Sequence, residues 1–413
     1  MTADIIVIGA GPAGMMAAIT AAENGADVIL IERNRQPGKK LLITGKGRCN
    51  VTNNCTKDEF FDNLTCNAKF LYSAYNSFNA QDTMSFFEGC GVELKTERGN
   101  RVFPVSDKSA DINNALIDRC STSGVRIIKG KAEKILTDNG RVISVIADGS
   151  EYACKCCIIA TGGTSYRSTG SDGNGYKLAK SIGHTITDIK PSLVPVVCRE
   201  DECKELAGLT LKNVSLSVKN CKGKQIYTDF GELTFMDYGI SGPMTLSASC
   251  RIDFDDGEKY FDIDLKPALS EEQLEARLLR DFDKNRNITL SVYLGALLPR
   301  QLIAPFISRL CVPETTMVNS ITKEQRRAMI KLLKNYSFTA YEFRPINEAI
   351  ITSGGIKVSE IEPKTMASKL VKGIYFAGEI IDVDAYTGGF NLQIAFSTGF
   401  AAGKYASEEC RND

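Results

Sequence analysis

Gly9, Gly11 and Gly14 follow an unbroken apolar run, Ile5-Ile6-Val7-Ile8, and Glu32 closes the next one, Val28-Ile29-Leu30-Ile31. These residue types at this spacing serve the recognition of a pyrophosphate joined to a ribose. Gly9 permits a tight turn and Gly11 lets the backbone come close to phosphates. Gly14 lets the following helix, opened by Pro12 and Ala13, lie against the strand. The helix start offers free N–H groups and the positive end of its dipole. Glu32, with Arg33 beside it, is placed to accept the hydroxyls of an adenosine ribose. A carboxylate there repels a 2′-phosphate, so FAD or NAD fits and NADP does not.

Three further segments point to a flavin. Residues 38–53 are rich in glycine, cations and short polar side chains, with Lys40, Thr44, Gly47, Arg48, Cys49 and Asn50 suited to wrapping a pyrophosphate and meeting a flavin edge. Thr161-Gly162-Gly163 ends an apolar run where the chain can pass close to a dinucleotide, and residues 170–179 form another glycine turn opening a helix. The third segment is Gly378-Glu379 followed by Gly388-Gly389-Phe390-Asn391-Leu392. Glu379 is expected to hydrogen-bond the ribityl chain. The glycine turn starts a helix whose dipole favours the charge of a reduced flavin. Arg48, Tyr166, Tyr238 and Tyr386 lie in or beside these motifs and are candidates for a proton donor. For each tyrosine, packing in the core is the competing reading.

Secondary elements must bring these segments together. Residues 1–50 read as a βαβ unit and a basic loop, and residues 57–90 as helix from their apolar spacing. Short strands are predicted at residues 125–128, 132–136, 142–147 and 152–160. Ala132, at the start of the second, completes the set expected to touch the cofactor. Residues 191–265 alternate like β structure, and residues 270–334 turn helical from Ser270-Glu271-Glu272-Gln273, a capping-box pattern. The expected architecture is α/β. A discontinuous FAD-binding Rossmann domain of residues 1–190 and 346–413 surrounds a β-barrel-like domain of residues 191–267 and 335–345, with a helical insert at 268–334.

The chain has 413 residues, 50 basic and 50 acidic, so no net field draws it to nucleic acid or anionic lipid. No apolar run reaches 18 residues and no signal peptide opens the chain, which predicts a cytoplasmic protein outside the membrane. Its 14 cysteines are scattered. Cys154, Cys156 and Cys157 lie in a predicted strand with no second CxxC to complete a zinc site, so they read as reduced, buried hydrophobes and no metal is expected. Cys49 and Cys55 have five residues between them, where a flavin disulfide reductase needs four. The single histidine, His184, follows a predicted helix and reads as structural. A disulfide reductase and an RNA-binding protein are both rejected on these grounds. Oligomeric state, monomer or dimer, stays open.

GAGPAG, LLITGKGRCNVTN, GNGYKLAKSIGH, GISGPMTLSAS and FAGEIIDVDAYTGGFNLQIAFSTGFAAG together resemble the bacterial NAD(P)/FAD-dependent oxidoreductase family that includes bile-acid 3-oxo-Δ4,6-reductases and an aminoacetone oxidase. The resemblance runs over essentially the whole chain. It implies a glutathione-reductase-type FAD domain with a barrel-like domain and a helical insert, and FAD contacted by Gly9, Gly11, Gly14, Glu32, Arg48, Gly162, Glu379 and Asn391. It also implies that NAD(P)H, docking transiently, reduces FAD, and that flavin N5 passes hydride to an enone C=C of a small hydrophobic substrate such as a 3-oxo-Δ4 bile acid or steroid. The alternative within the same family is an amine oxidase of the aminoacetone type using O2.

Overall fold

A computed structural model describes residues 1–412. The chain divides into two compact units, Met1–Ser192 with the segment from Ile346 onward, and Leu193–Pro345.

The first unit is built on a five-stranded parallel sheet: β1 (Ile5–Ile8), β2 (Val28–Glu32), β3 (Arg126–Lys129), β4 (Cys156–Ile159) and β5 (Ile374–Phe376). The strand order is β5-β4-β1-β2-β3. β1 and β4 are buried at every residue, as a parallel sheet covered on both faces requires. β1 pairs in register with β4 on one side (Ile5 with Cys156) and β2 on the other (Ile5 with Val28). This places the glycine turn after β1 at the C-terminal ends of central strands, where open α/β sheets bind ligands. Two helices matter most: α1 (Pro12–Glu23) and α2 (Phe390–Asn412). They cross closely because Gly399 and Gly403 lie on α1. A Cβ at those positions would meet Ala13 O at 2.4 Å and Ala17 O at 2.2 Å. A three-stranded meander at Ala132–Asp138, Arg141–Ala147 and Ser150–Ala153 precedes β4.

The helical stretch expected over 57–90 breaks into Lys57–Asp62, Tyr72–Ser77 and Ala80–Gly89. Asn67 at φ +47° interrupts the path, and Asn79 restarts a helix with its own capping box. The second unit holds a closed six-stranded antiparallel barrel, ordered 196–198, 239–241, 225–236, 210–220, 259–264 and 336–343. The expected capping box is present at Ser270, with Gln273 answering it, at the head of Glu271–Lys284. Leu294, Leu297 and Leu298 join Phe261 and Phe338 in this unit's core.

His184 is fully buried. Its ring nitrogens face Glu360 Oε2 at 3.2 Å and Ser368 Oγ at 2.8 Å, and its ring meets Phe376 edge-on. Burial holds its pKa below the ordinary value, against the pull of Glu360. The native ring is therefore neutral where an unfolded histidine, near 6.5, takes up a proton. Stability is expected to fall as pH drops through about 6.5, by up to about 1.4 kcal/mol per pH unit for this group. Denaturant melts of His184→Gln and the parent between pH 7.5 and 5.5 check this; equal slopes refute it.

Candidate cofactor site

The three fingerprint glycines have different surroundings. Gly9 has φ +100°, and a Cβ there would meet Ala160 O at 2.7 Å, so it suits only a turn pressed against β4's end. At Gly14 a Cβ would stand 1.8 Å from Gly9 O. At Gly11 it would meet nothing within 4 Å. Gly11 is also the N-cap of α1 and supplies no side-chain cap, and Pro12 is N1, so the first turn's N–H groups have no side-chain acceptor. The backbone is thus tight where the helix docks and open where an anion would approach.

Glu32 is buried and accepts the Ala10 N–H at 2.8 Å on one oxygen. Its other oxygen takes the Asn34 N–H at 2.7 Å and Asn34 Nδ2 at 2.8 Å. The acid at the tip of β2 therefore fixes the glycine turn itself. Arg33 points away, pairing with Asp172 at the surface. Ala132 is buried, and its carbonyl accepts from Asn174 Nδ2 at 2.8 Å.

Three distant segments converge on Glu379. Lys40 Nζ lies 2.7 Å from Glu379 Oε2 and 2.7 Å from Ser165 Oγ. Glu379 Oε1 takes the Thr352 N–H at 2.8 Å and Ser165 Oγ at 3.1 Å. Gly162, at φ +71°, would place a Cβ 3.9 Å from Glu379 Oε2, and Gly163 would place one 3.2 Å from Oε1. Gly378 seats this corner against α1, with 2.7 Å between its would-be Cβ and that of Ala13. Thr161 Oγ1 and Asn50 Oδ1 are buried with no hydrogen-bond partner. Such atoms are costly unless a ligand or water meets them. A cradle with open N–H groups, an uncrowded Gly11 and unpartnered polar atoms on two predicted segments fits a dinucleotide.

The loop of residues 38–53 turns through left-handed backbone at Gly45, Lys46, Gly47 and Cys49. Thr44 Oγ1 donates to Leu41 O at 2.6 Å. Cys49 is wholly buried and its thiol is pushed up to about 12 by burial; Cys55 rises to about 11 for the same chief reason. Both are free thiols. At α2's start, Gly388 (φ +127°) and Gly389 (φ +98°) make the turn, and a Cβ on Gly389 would meet Thr52 O at 2.4 Å. Phe390 is buried 6.0 Å from the Phe60 ring, and Leu392 lies partly buried against the same core.

The sequence matches the family described as HI0933-like protein Rossmann domain over residues 3–405. The chain belongs to that family. It is 29% identical over 97% of its length, and 98% of the relative's, to a protein named 3-dehydro-bile acid delta(4,6)-reductase from Clostridium scindens. It is also 29% identical to a ribosomal RNA dihydrouridine synthase of Haemophilus influenzae, over 96% of each chain. Among solved structures, 3-ketosteroid delta1-dehydrogenase from Sterolibacterium denitrificans superposes with a TM-score of 0.55 at 13% identity, covering 99% of this chain and 100% of that one. That likeness speaks for the fold.

Within this HI0933-like chain, two of the expected contact residues also bind other parts of the protein. The Arg48 guanidinium is spent on Glu97 and Asp107, with Nε 2.9 Å from Asp107 Oδ1 and Nη2 2.5 Å from Glu97 Oε1, and it lies over the Phe103 ring at 4.2 Å. It clasps the loop to the hairpin of Leu94–Glu97 and Arg101–Pro104. The Asn391 side chain is likewise turned inward. Its Nδ2 donates to Ala385 O at 2.8 Å and its Oδ1 accepts the Ala385 N–H at 3.0 Å, closing the turn before α2. Tyr166 (φ +49°), next to Ser165 in the chain, and Tyr386, whose N–H donates to Asn63 O at 3.0 Å, are both half-buried. Tyr238 lies in the second unit under Arg344, 4.3 Å from ring centroid to guanidinium. Ser165, Thr352 and Asn34 escaped the sequence reading. Ser165 and Asn34 sit two residues beyond recognised motifs, but nothing local marks Thr352.

Proposed function

We propose that this chain is an FAD-dependent oxidoreductase that adds hydrogen across a C=C bond conjugated to a carbonyl. NAD(P)H is the electron source, and the substrate is a small hydrophobic molecule of the 3-oxo bile-acid or steroid class. The observation carrying this reading is full-length similarity to a bile-acid delta(4,6)-reductase, joined to a cradle shaped for a dinucleotide.

When bound, FAD supplies a hydride donor, and the chain positions it. The open first turn of α1 would hold the pyrophosphate, Glu32 would accept the ribose hydroxyls, and Glu379 with Lys40 would hold the ribityl chain. The N-terminus of α2 presents its dipole where negative charge gathers on reduction. Tyr166 and Tyr386 are the proposed O–H donors to the carbon that does not receive hydride. Arg48 keeps the loop in place.

Similarity to a dihydrouridine synthase supports a second reading, since the uracil ring also carries a C=C conjugated to a carbonyl. This weakens the expectation that nucleic acid is no partner. Charge balance favours the small substrate: residues 193–345 hold equal numbers of acidic and basic side chains, with no excess to neutralise phosphates. The expected result of anaerobic stopped-flow mixing is that NADH or NADPH bleaches the flavin and a 3-oxo-Δ4 steroid restores its colour. Bleaching by an amine, and by neither nicotinamide, overturns the proposal in favour of an oxidase. Recolouring by unmodified ribosomal RNA and by no enone establishes the second reading.

A further inference from the structure

The chain passes from the first unit into the second, and back, along a two-stranded antiparallel ribbon of Lys190–Ser192 and Ile351–Ser353. Three residue pairs are too few to hold a ribbon together alone. Its stability must come from what its strands touch, and Thr352 makes the contact. Thr352 is 1% exposed. Its Oγ1 accepts the N–H groups of Thr164 at 2.8 Å and Ser165 at 3.1 Å, and its own N–H goes to Glu379 Oε1 at 2.8 Å. Ser165 Oγ adds a bond to Ile350 O at 3.3 Å. Glu379's other oxygen is held by Lys40. The ribbon is therefore pinned by the same carboxylate that stands in the cofactor cradle.

We infer that Thr352 and Glu379 form a junction through which occupancy of the cradle stabilises the crossover ribbon. This rests on the FAD reading above. The Lys40 and Glu379 side chains are both only about a fifth exposed and are paired with each other, so neither changes partner without shifting the other. A ligand hydroxyl or phosphate engaging either side chain acts one hydrogen bond from the ribbon's backbone. Thr352 touches the ribbon, Glu379 and the Thr164–Ser165 backbone, so it is a positioning residue.

Hydrogen exchange on the full chain, prepared without flavin and then reloaded with FAD, tests the junction. Loading is expected to slow exchange of the Ile351–Ser353 peptide by about tenfold or more, since a ligand in excess lowers the population of open forms in proportion to its occupancy. In Thr352→Val, which keeps the N–H but loses the acceptor, FAD still binds while this slowing falls to under about threefold. Thr352→Ser restores it. If FAD binds the parent and ribbon exchange does not change, the junction is wrong and the cofactor reading stands. If reloading produces no flavin absorbance in the protein, the cofactor reading fails first and takes this inference with it. If Thr352→Val does not fold, Lys40→Met replaces it: retained FAD-dependent slowing there equal to the parent's also refutes the coupling.

Discussion

Gly14→Ala is expected to leave the protein colourless. A methyl at this position would stand 1.8 Å from Gly9 O and 3.1 Å from Gly9 C, both backbone atoms of the turn itself. Neither can yield without opening the turn or lifting α1 from the sheet. Alanine in a helix gains about 1 kcal/mol over glycine, but overpacking against fixed backbone costs about 1–3 kcal/mol or more. The clash wins, and the phosphate-facing N–H groups lose their aim. FAD affinity is expected to fall at least about 100-fold, equivalent to about 2.7 kcal/mol, with a lower melting temperature for the flavin-free protein. Gly11→Ala is the contrast, because its methyl meets no protein atom within 4 Å. It is expected to weaken FAD binding while leaving the melting temperature of the flavin-free protein unchanged. Flavin titration and thermal melts of the two variants decide the matter; a yellow Gly14→Ala protein of parental stability refutes the assignment.

Gln393→Leu is expected to cost about 3–5 kcal/mol of stability. Gln393 is wholly buried near the start of α2. Its Oε1 accepts from Thr52 Oγ1 at 2.6 Å and Thr83 Oγ1 at 2.8 Å. Its Nε2 donates to Phe78 O at 3.1 Å and Ser397 Oγ at 3.0 Å. Leucine is similar in size but leaves two buried hydroxyls without an acceptor and removes one of two donors to Phe78 O, the other being Ser397 Oγ at 2.6 Å. Each stranded group costs about 1–3 kcal/mol. Urea unfolding measures the loss, and a change under about 1 kcal/mol would show the network to be dispensable. Thr52 also stands against Gly389, so the same substitution is expected to loosen the turn ahead of α2.

The parts of this molecule visible in its sequence are those whose causes are local. The turn after β1 follows from glycine spacing and two apolar runs. The helix at Glu271 follows from Ser270 and Gln273 three residues apart. Arg48 and Asn391 were legible as members of motifs but not in their orientation. The acids that claim Arg48 lie 49 and 59 residues away, and no spacing rule connects them. The resemblance implies that Asn391 contacts FAD; its amide also closes on the Ala385 backbone, a use Asn side chains favour in turns. The barrel strand Gln225–Met236 falls inside the stretch that alternates like β structure, although its exposed positions mix Phe230 with Thr228 and Glu232, so its own bounds are blurred. Thr352 illustrates the limit best. Its importance comes from three partners spread from Thr164 to Glu379, and its neighbours Ile351 and Ser353 give no hint of them.

The sheet of the first unit takes its edge strand β5 from residues 374–376, and α2 then covers α1. During synthesis, residues 374–376 and the helix after them must therefore leave the ribosome before the Gly9 turn is backed by its full set of neighbours. Until then the apolar flank of β4 that β5 will occupy stays bare, and a nascent chain stopped short of Ile374 is a substrate for chaperones and proteases rather than a half-built enzyme.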